Sequence, residues 1–242
     1  MNHHDTDMTG SVMADTRTMP IVHSALRRDL TRTRIVLTDS RSLSEERRTA
    51  LADHLAWMMT FLDRHHTSED EGLYPMVLRK NPAARELLED MDADHRLVHP
   101  AMEQVAEAAR AFRASGTIAT TDVLAAIDAL EAVLYPHLAR EEDETMPVVA
   151  ASITATDWHR WDREHNIKGL SFRELAATGL WTLDGQDPAS HALMRQVVPR
   201  PVMFVIDKVF GPRYRRKSAR LWGGTRAAVV PALDKQLKEV TP

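Results

Sequence analysis

The stretch "HHTSEDEGLYP", residues 65–75, sets two histidines side by side and follows each with a carboxylate four residues later. Residues four apart share one face of an α-helix, so each imidazole and its carboxylate could bind the same cation. Random placement of the chain's 12 histidines and 35 acidic residues would give roughly two such pairs. The chain has pairs at 65/69, 66/70, 99/103 and 137/141. One pair is weak evidence for a metal site, so the weight of the pattern depends on the helices that carry it.

Four helical stretches are predicted between residues 20 and 150, because apolar residues recur there at three- and four-residue steps. Short connections between long helices favour antiparallel neighbours. We therefore predict an all-α protein built on an up-down four-helix bundle. The helices are predicted to begin at Pro20, at a capping box of Ser42 and Glu45, near residue 83 and after Thr120-Thr121, with the second ending at 80–82.

The chain divides into three predicted parts. Residues 1–19 are polar and without pattern, which predicts a flexible N-terminal tail in which His3 and His4 are inert. Residues 20–151 are predicted to form the bundle. Residues 152–242 hold most of the tryptophans and are predicted to form an additional helical, basic C-terminal extension.

Composition excludes several classes of function. The chain has no cysteine, which excludes disulfides, thiolate metal sites and cysteine catalysis. The net charge of −4 gives no indication of nucleic-acid binding. No apolar run has the length of a membrane-spanning helix, and the N-terminus lacks the apolar segment of a signal peptide. We therefore expect a cytoplasmic protein.

Histidine and glutamate stand where the buried stripes of the helices should carry apolar residues. Steps of seven along the second helix lead from Met58 to His65 and from Leu62 to Glu69. The fourth helix repeats this pattern, and the other two helices also carry inward histidines. The remaining inward residues are His23 of the first helix, His95 and His99 of the third, and His137 and Glu141 of the fourth, after which Val148 resumes the apolar run.

A constant offset of 72 residues relates the inward positions of the two halves. This offset indicates a duplicated pair of helices, each half bringing two histidines and one glutamate to a shared core. His99 breaks the repeat, because its counterpart is Arg27. The matched positions are His23 and His95, His65 and His137, Glu69 and Glu141, and Pro75 and Pro147.

Five inward histidines and two inward glutamates predict a metal site. A lone helical histidine is more often packed and hydrogen-bonded than a ligand, but a buried unpaired glutamate is costly, and a cation removes that cost. Imidazoles and carboxylates on helices, without thiolates, suit iron, manganese or zinc. His66 and Asp70 lie at the edge of the stripe, where outer hydrogen bonds to the ligands are their expected role. Glu142 competes with Glu141 as the inward carboxylate, and the stripe favours Glu141.

Two glutamates among five histidines favour a pair of ions bridged by carboxylates. Two octahedral ions offer twelve positions, of which the imidazoles take five, the bridging carboxylates four, and a bridging hydroxide or oxide two. One position stays open, and an open position with apolar walls suits O2, peroxide or NO. A structural zinc or manganese protein is an alternative reading of the same residues.

The full set of inward residues resembles the hemerythrin family in its HHE cation-binding form, over about residues 20–150. The phrases "HHTSEDEGLYP" and "HLAREEDETMP" are similar to that family's second and fourth helices. The resemblance implies two iron ions per chain, joined by an oxo or hydroxo bridge, and no catalytic residue beyond the metal centre. It assigns His95, His99 and His137 to one iron, His23 and His65 to the other, and Glu69 and Glu141 to both.

The resemblance further implies O2, hydrogen peroxide or NO as the small ligand. The last carboxylate follows its histidine by four residues, whereas oxygen-carrying hemerythrins have five and usually an aspartate. This departure and the fused extension favour a catalase-like or NO-handling activity over O2 carriage. The alternative is an iron- or oxygen-responsive sensor or interaction module whose extension docks a partner or a membrane surface.

The extension resembles those seen on actinobacterial hemerythrin-like proteins. Residues 195–226 carry nine Lys and Arg side chains against the single acid Asp207, which suits contact with a partner or a membrane surface. An extra helix with a solvated basic edge is the simpler interpretation. Three further histidines, His159, His165 and His191, are expected to have structural roles. Tyr74 and Tyr135 lie within reach of the ligand turns and could hydrogen-bond to a bound oxygen species, but core packing is their expected role.

Overall fold

The computed structural model describes residues 12–39, 43–115 and 120–233, and these are helical almost throughout. None of the helices in these ranges is both long and apolar enough to cross a membrane. In chain order the helices are α1 (Thr18–Asp39), α2 (Glu45–Ser68), α3 (Tyr74–Lys80), α4 (Arg85–Ser115), α5 (Thr120–Arg140), α6 (Met146–Ser152), α7 (Ala155–Trp161), α8 (Phe172–Leu183), α9 (Pro188–Val197), α10 (Arg200–Val205) and α11 (Gly211–Trp222). Short π segments lie at Glu69–Leu73, Glu141–Thr145, Asp162–Ile167 and Ile206–Phe210, and 3₁₀ turns at Pro82–Ala84 and Arg226–Val229.

The bundle consists of four rods, as predicted: α1, α2 continued by α3, α4, and α5 continued by α6. The second rod packs against α4, α4 packs against α5, and α5 packs against α1. On the remaining side, α8 of the extension contacts α1 and α11 contacts α2. The protein is therefore an all-α bundle with a helical extension packed on the first two rods.

A π turn widens the second and fourth rods at the predicted metal ligands. In the second rod the Tyr74 N–H donates to the Glu69 carbonyl, five residues back, and Pro75 follows. In the fourth rod Met146 and Glu141 form the same bond, again followed by a proline. Proline lacks a backbone donor and its ring clashes with the carbonyl four residues back, so the wider turn relieves that clash. The internal repeat therefore extends to the backbone conformation.

The π turn corrects one prediction about the buried stripe. Val148 was expected to resume the apolar run after Glu141, but it is only half-buried, and Val149 is the fully buried residue. A π turn adds one residue to the helix path, so every position after it moves by one residue around the helix.

The apolar core is divided by a polar layer. Along the second and fourth rods, one apolar cluster lies before the π turns and includes parts of the extension, and a second lies after the π turns. The layer between them carries the predicted ligands. The first cluster reaches Leu62, Val98 and Leu138, and the second begins at Leu73, Met91 and Met146.

Part of the predicted N-terminal tail is packed on the protein. The Ala14 N–H donates to the Ile153 carbonyl at 3.1 Å, and the Ala155 N–H donates to the Val12 carbonyl at 2.8 Å. These bonds pair residues 12–14 with the turn between α6 and α7, and the Ala14 side chain is buried. The expectation of a flexible tail up to residue 19 is therefore wrong from residue 12 onwards, because this turn supplies backbone partners.

Two predicted helix starts also differ from the structure. The first helix begins at Thr18, before Pro20. The second helix begins after Ser44, whose side chain accepts a hydrogen bond from the Arg47 N–H. Ser42, the predicted cap, lies outside the described residues, as do His3 and His4.

A buried charge network fastens the extension to the bundle. Asp29 of α1 is 1% exposed. Its carboxylate accepts hydrogen bonds from His54 Nε2 at 2.7 Å, from Trp181 Nε1 at 2.9 Å and from Arg28 Nε at 2.7 Å. Burial acts to raise the pKa of Asp29, but the charge of Arg28 and the hydrogen bond from His54 hold that pKa below its usual range. The ionised carboxylate of Asp29 thus connects α1, α2 and α8 through hydrogen bonds.

The extension also contributes to the main apolar cluster. Trp181, Leu221 and Trp222 belong to the same cluster as the leucines of the first two rods. Arg32 of α1 adds a hydrogen bond to the Val230 carbonyl at 2.7 Å. The domain division at residues 151 and 152 stays a prediction, but residues on both sides of it share one core.

We expect Asp29→Asn to lower the free energy of unfolding by about 3 kcal/mol, because it leaves Arg28 buried without its counter-charge. Urea denaturation at pH 7 measures this loss. Asp39→Asn is the matched control, since Asp39 pairs with Arg226 at the protein surface, and it should change the urea midpoint little. Equal losses in the two variants would show that the Asp29 network does not fasten the extension.

The same variant has a defined pH dependence. A carboxyl group whose pKa is lowered on folding stabilises the protein above its unfolded pKa, about 4 for aspartate, and loses that contribution as the pH falls towards the folded value. The stability difference between the natural chain and Asp29→Asn should therefore be constant above about pH 5 and shrink below about pH 4.

Candidate metal centre

The structure brings seven inward side chains from all four rods into one buried cluster. Each member is almost completely removed from solvent. The seven-residue cluster consists of His23 of α1, His65 and His66 of α2, Glu69 of the first π turn, His95 of α4, His137 of α5 and Glu141 of the second π turn.

The cluster contains two groups of three, each compact enough to hold one ion. His66, His95 and His137 form one group, and their ligand atoms lie within 4.8 Å of one another. The second group, which has the same compactness, consists of His23, His65 and Glu141. We call them the three-histidine group and the two-histidine group.

Glu69 faces both groups. Its Oε1 lies 3.2 Å from His65 Nε2, and its Oε2 lies 3.6 Å from His95 Nε2. A carboxylate with one oxygen towards each group has the arrangement of a ligand that bridges two ions.

Glu141 approaches both groups from the fourth rod. Its Oε2 lies 3.4 Å from His23 Nε2 and 3.8 Å from His137 Nε2. Since Glu69 and Glu141 come from the two π turns, the internal repeat places one carboxylate between the two groups in each half.

Many polar atoms of the cluster have no hydrogen-bond partner among the described residues. Buried polar atoms without partners are rare in folded proteins, since each keeps its desolvation cost. Their convergence on one point fits a bound metal, which would accept every one of these lone pairs. The atoms are both carboxylate oxygens of Glu69 and of Glu141 and the Nε2 atoms of His66, His95 and His137.

Burial sets the protonation states that a metal requires. Burial lowers the pKa of His65, His66 and His137 well below the usual range, so these imidazoles are neutral and have a free lone pair. Burial also raises the pKa of Glu69, with the charge of Glu141 adding to the effect, and raises the pKa of Glu141. Two neighbouring carboxyl groups that resist ionisation are stabilised by positive charge between them, which a bound cation would supply.

Hydrogen bonds behind the imidazoles aim their Nε2 atoms at the cluster. His23 Nδ1 donates to Glu142 Oε1 at 2.9 Å, and Arg27 donates to the same oxygen at 2.8 Å. His95 Nδ1 donates to Asp70 Oδ1 at 2.8 Å. Such outer carboxylates fix the tautomer and the ring orientation of a histidine ligand. Glu142 and Asp70 therefore orient ligands from behind, whereas Glu141 points inward.

His99 lies outside the cluster, so its assignment as a ligand is corrected. Its side chain is 57% exposed, and its nearest carboxylates are Asp63 at 3.7 Å and Glu103 at 4.0 Å. The buried stripe of α4 continues from His95 to Val98, three residues on. His99 is rotated by about 100° from Val98 and faces solvent.

His66 takes the place that His99 was expected to fill. Its ring stacks on that of His95, with 4.1 Å between centroids and 11° between planes, and it meets His137 at 5.0 Å. The edge of α2 that carries His66 is buried because α4 covers it. The sequence contained one sign that His66 is buried: its counterpart in the internal repeat is the apolar Leu138. In the structure Leu138 is fully buried.

The extension contacts the π turn that carries Glu69. A Cβ atom on Gly72 would lie 2.6 Å from His165 Nε2 and 2.7 Å from a carbon of Trp161, so only glycine allows this approach. Trp161 Nε1 donates to the Ser68 carbonyl at 2.7 Å. His165 thus has a packing role against a ligand-bearing turn.

The two tyrosines near the ligand turns differ in their contacts. The Tyr135 hydroxyl donates to Glu131 Oε1 at 3.0 Å, on the outer side of the bundle. The Tyr74 ring stacks on His95 at 5.9 Å, and its hydroxyl is buried without a partner among the described residues. Burial, together with the charges of Glu141 and Glu69, raises the pKa of Tyr74 well above its usual range, so the hydroxyl remains a donor.

Comparison with known families gives one match. The family model described as "Hemerythrin HHE cation binding domain" matches residues 15–149, which include the whole seven-residue cluster and all four rods except the last three residues of α6. No curated protein and no solved structure matches the chain. The match ends before α7, so the extension is not part of it.

We expect His66→Ala to reduce metal binding and His99→Ala to leave it unchanged. His66→Ala removes a buried Nε2 from the three-histidine group and should lower the bound metal per chain, whereas His99→Ala removes an exposed ring and should leave it unchanged. Elemental analysis of both full-length variants after iron loading measures the difference. Circular dichroism checks that each variant is helical, and metal loss in His99→Ala alone would overturn the new assignment.

Proposed function

Because this chain belongs to the hemerythrin HHE cation-binding family, we propose that its bundle holds two iron ions at which O2, hydrogen peroxide or NO binds. An iron pair supplies a centre that changes oxidation state and takes a small ligand at an open position. The proposal requires a site for two ions, an open position, and surroundings that exclude water.

The observation that carries the proposal is that both buried glutamates face both histidine groups. A single ion would need only one group, so two carboxylates between two groups favour a pair of ions. The three-histidine group supplies one more imidazole than the two-histidine group. With both carboxylates shared, an ion beside His23 and His65 would have one protein donor fewer, so this side is the proposed place of the open position.

The surroundings suit a small, uncharged or weakly charged ligand. Apolar clusters cover the polar layer on both sides, with Leu62 and Leu138 on one side and Leu73 and Met146 on the other. These walls exclude bulk water from the site. The unpartnered hydroxyl of Tyr74 is the proposed donor to a bound oxygen or NO.

Peroxide decomposition of the catalase type, or NO handling, is the proposed activity. The cluster supplies glutamates at both bridging positions, and the extension lies directly on the turn that carries one of them. Both features favour a chemical role over carriage of O2. The imidazole and carboxylate ligands also suit manganese or zinc, so the identity of the metal is part of the test.

We expect protein purified in air to contain about two irons per chain, as the donor set of two groups requires, and to absorb in the near ultraviolet. Addition of peroxide, or of NO after reduction, should change this spectrum. The Tyr74→Phe variant should keep its iron, since it loses only the free hydroxyl. Its spectrum should change at a different rate when peroxide or NO is added. Zinc or manganese at the same stoichiometry, without near-ultraviolet absorption, would contradict the iron assignment.

A second candidate function is contact with an anionic membrane surface, carried by α10 and the π segment after it. Phe204 is 63% exposed, between the cations Arg200 and Lys208, and Lys208 Nζ lies 5.9 Å from its ring centroid. An exposed aromatic ring among cations is typical of a surface that meets anionic lipid headgroups. Truncation of the extension cannot test this role, because Trp181 and Trp222 belong to the bundle core.

We expect Phe204→Asp to weaken binding to phosphatidylserine-containing vesicles about tenfold, because it replaces a ring that would be buried in the interface with a like charge to the lipid. Leu97→Asp is the matched control, since Leu97 is 62% exposed but lies on α4. Cosedimentation with vesicles measures both variants. If the natural chain stays in solution, or if both variants lose binding equally, this second function is wrong.

A further inference from the structure

A half-open cavity of about 810 Å³ lies between α2 and the extension. α8, α11 and the π segment before α11 form its other walls. Its volume lies within the range of small-molecule binding sites. The cavity is separate from the seven-residue cluster, none of whose members lines it.

Aromatic rings form the deep side of the cavity. Trp57 and Trp181 meet edge to face with 5.0 Å between centroids, and Phe210 and Tyr214 are the other rings of the lining. The Tyr214 hydroxyl donates to Asp184 Oδ2 at 3.1 Å, which fixes the orientation of its ring. Held rings of this kind bind a flat apolar surface at little entropic cost.

The rim of the cavity carries a surplus of positive charge. Arg173 of α8 and Arg213, Arg216 and Lys217 of α11 line it, and none of them forms an ion pair with a described residue. The Lys217 ammonium lies 5.1 Å from the Trp57 ring centroid, where a cation meets the face of a ring.

The other charged groups of the lining are already paired. Asp53 pairs with Arg113 at 2.6 Å, and Arg220 pairs with Glu46 at 2.9 Å. On α11, Arg213 lies about one helical turn before Arg216 and Lys217. Their two guanidinium groups and one ammonium suit a phosphate, which accepts paired hydrogen bonds from arginine.

We propose that this cavity binds a planar aromatic molecule that carries a phosphate group, the chemical class of mononucleotides and flavin mononucleotide. The rings of the deep side hold the planar part, and Arg213, Arg216 and Lys217 hold the phosphate. A free phosphate ion makes no use of the rings, and a neutral planar molecule makes no use of the cations. The proposal concerns a site apart from the metal centre and does not depend on which metal that centre holds.

The position of the cavity connects it with the metal centre. Trp57, Phe61 and His65 follow one another at four-residue steps along α2, with ring centroids 5.9 Å and 6.1 Å apart. The cavity therefore lies at one end of a row of neighbouring rings whose last member belongs to the two-histidine group.

Titration of the full-length chain, as purified with its bound metal, with four probes tests the proposal. The probes are flavin mononucleotide, riboflavin, which has the ring without the phosphate, and inorganic phosphate; adenosine monophosphate serves as a second member of the class. We expect flavin mononucleotide or adenosine monophosphate to bind, and riboflavin and inorganic phosphate to bind about tenfold more weakly or less. Quenching of tryptophan fluorescence and calorimetry are the readouts.

A pair of variants locates the bound molecule. Arg213→Gln combined with Arg216→Gln should weaken nucleotide binding about tenfold. Arg215→Gln is the matched control, because Arg215 is exposed on the same helix but does not line the cavity. No binding of either nucleotide, equal binding of inorganic phosphate, or equal losses in both variants would overturn the proposal. Metal content is measured separately on the same samples, so failure of nucleotide binding leaves the iron proposal intact, and the reverse also holds.

Discussion

Two carboxyl groups buried among five imidazoles are the constraint on which the centre of this protein depends. Glu69 and Glu141 have no solvent exposure and no hydrogen-bond donor among the described residues. Burial lowers the pKa of His65, His66 and His137 well below the usual range, so these three imidazoles do not supply the missing charge. Without a cation this layer would be one of the most costly parts of the fold, and with one it becomes the point at which all four rods are joined.

The rest of the bundle serves to hold that layer in place. The π turns set Glu69 and Glu141 at equivalent points of the two halves, and the prolines after them keep the turns wide. Glu142 and Asp70 turn the rings of His23 and His95 inward by hydrogen bonds from behind. Apolar clusters on both sides prevent water from replacing these contacts. Geometry, protonation and exclusion of water are thus provided by different residues.

The extension is an integral part of this arrangement. Asp29 links it to the first rod through Trp181, and Trp161 with His165 packs it against Gly72 in the first π turn. The extension therefore touches both the core of the bundle and the backbone of a ligand-bearing turn. It also creates surfaces that the bundle alone would not have, namely the cavity beside Trp57 and the exposed apolar ring of Phe204.

The sequence by itself determined the four rods, the inward direction of six cluster residues and the internal repeat, because helical periodicity and a constant offset are properties of residue spacing. The tertiary structure decided what spacing leaves open. It places His66 in the buried cluster instead of His99, because the edge of a helix's apolar face is buried only where another helix packs on it. It moved the buried position from Val148 to Val149, because a π turn is a response to packing and proline sterics. Residues 12–14 pair with the turn after α6, and the cavity forms only where α8 and α11 meet α2, since both depend on contacts between segments far apart in the chain.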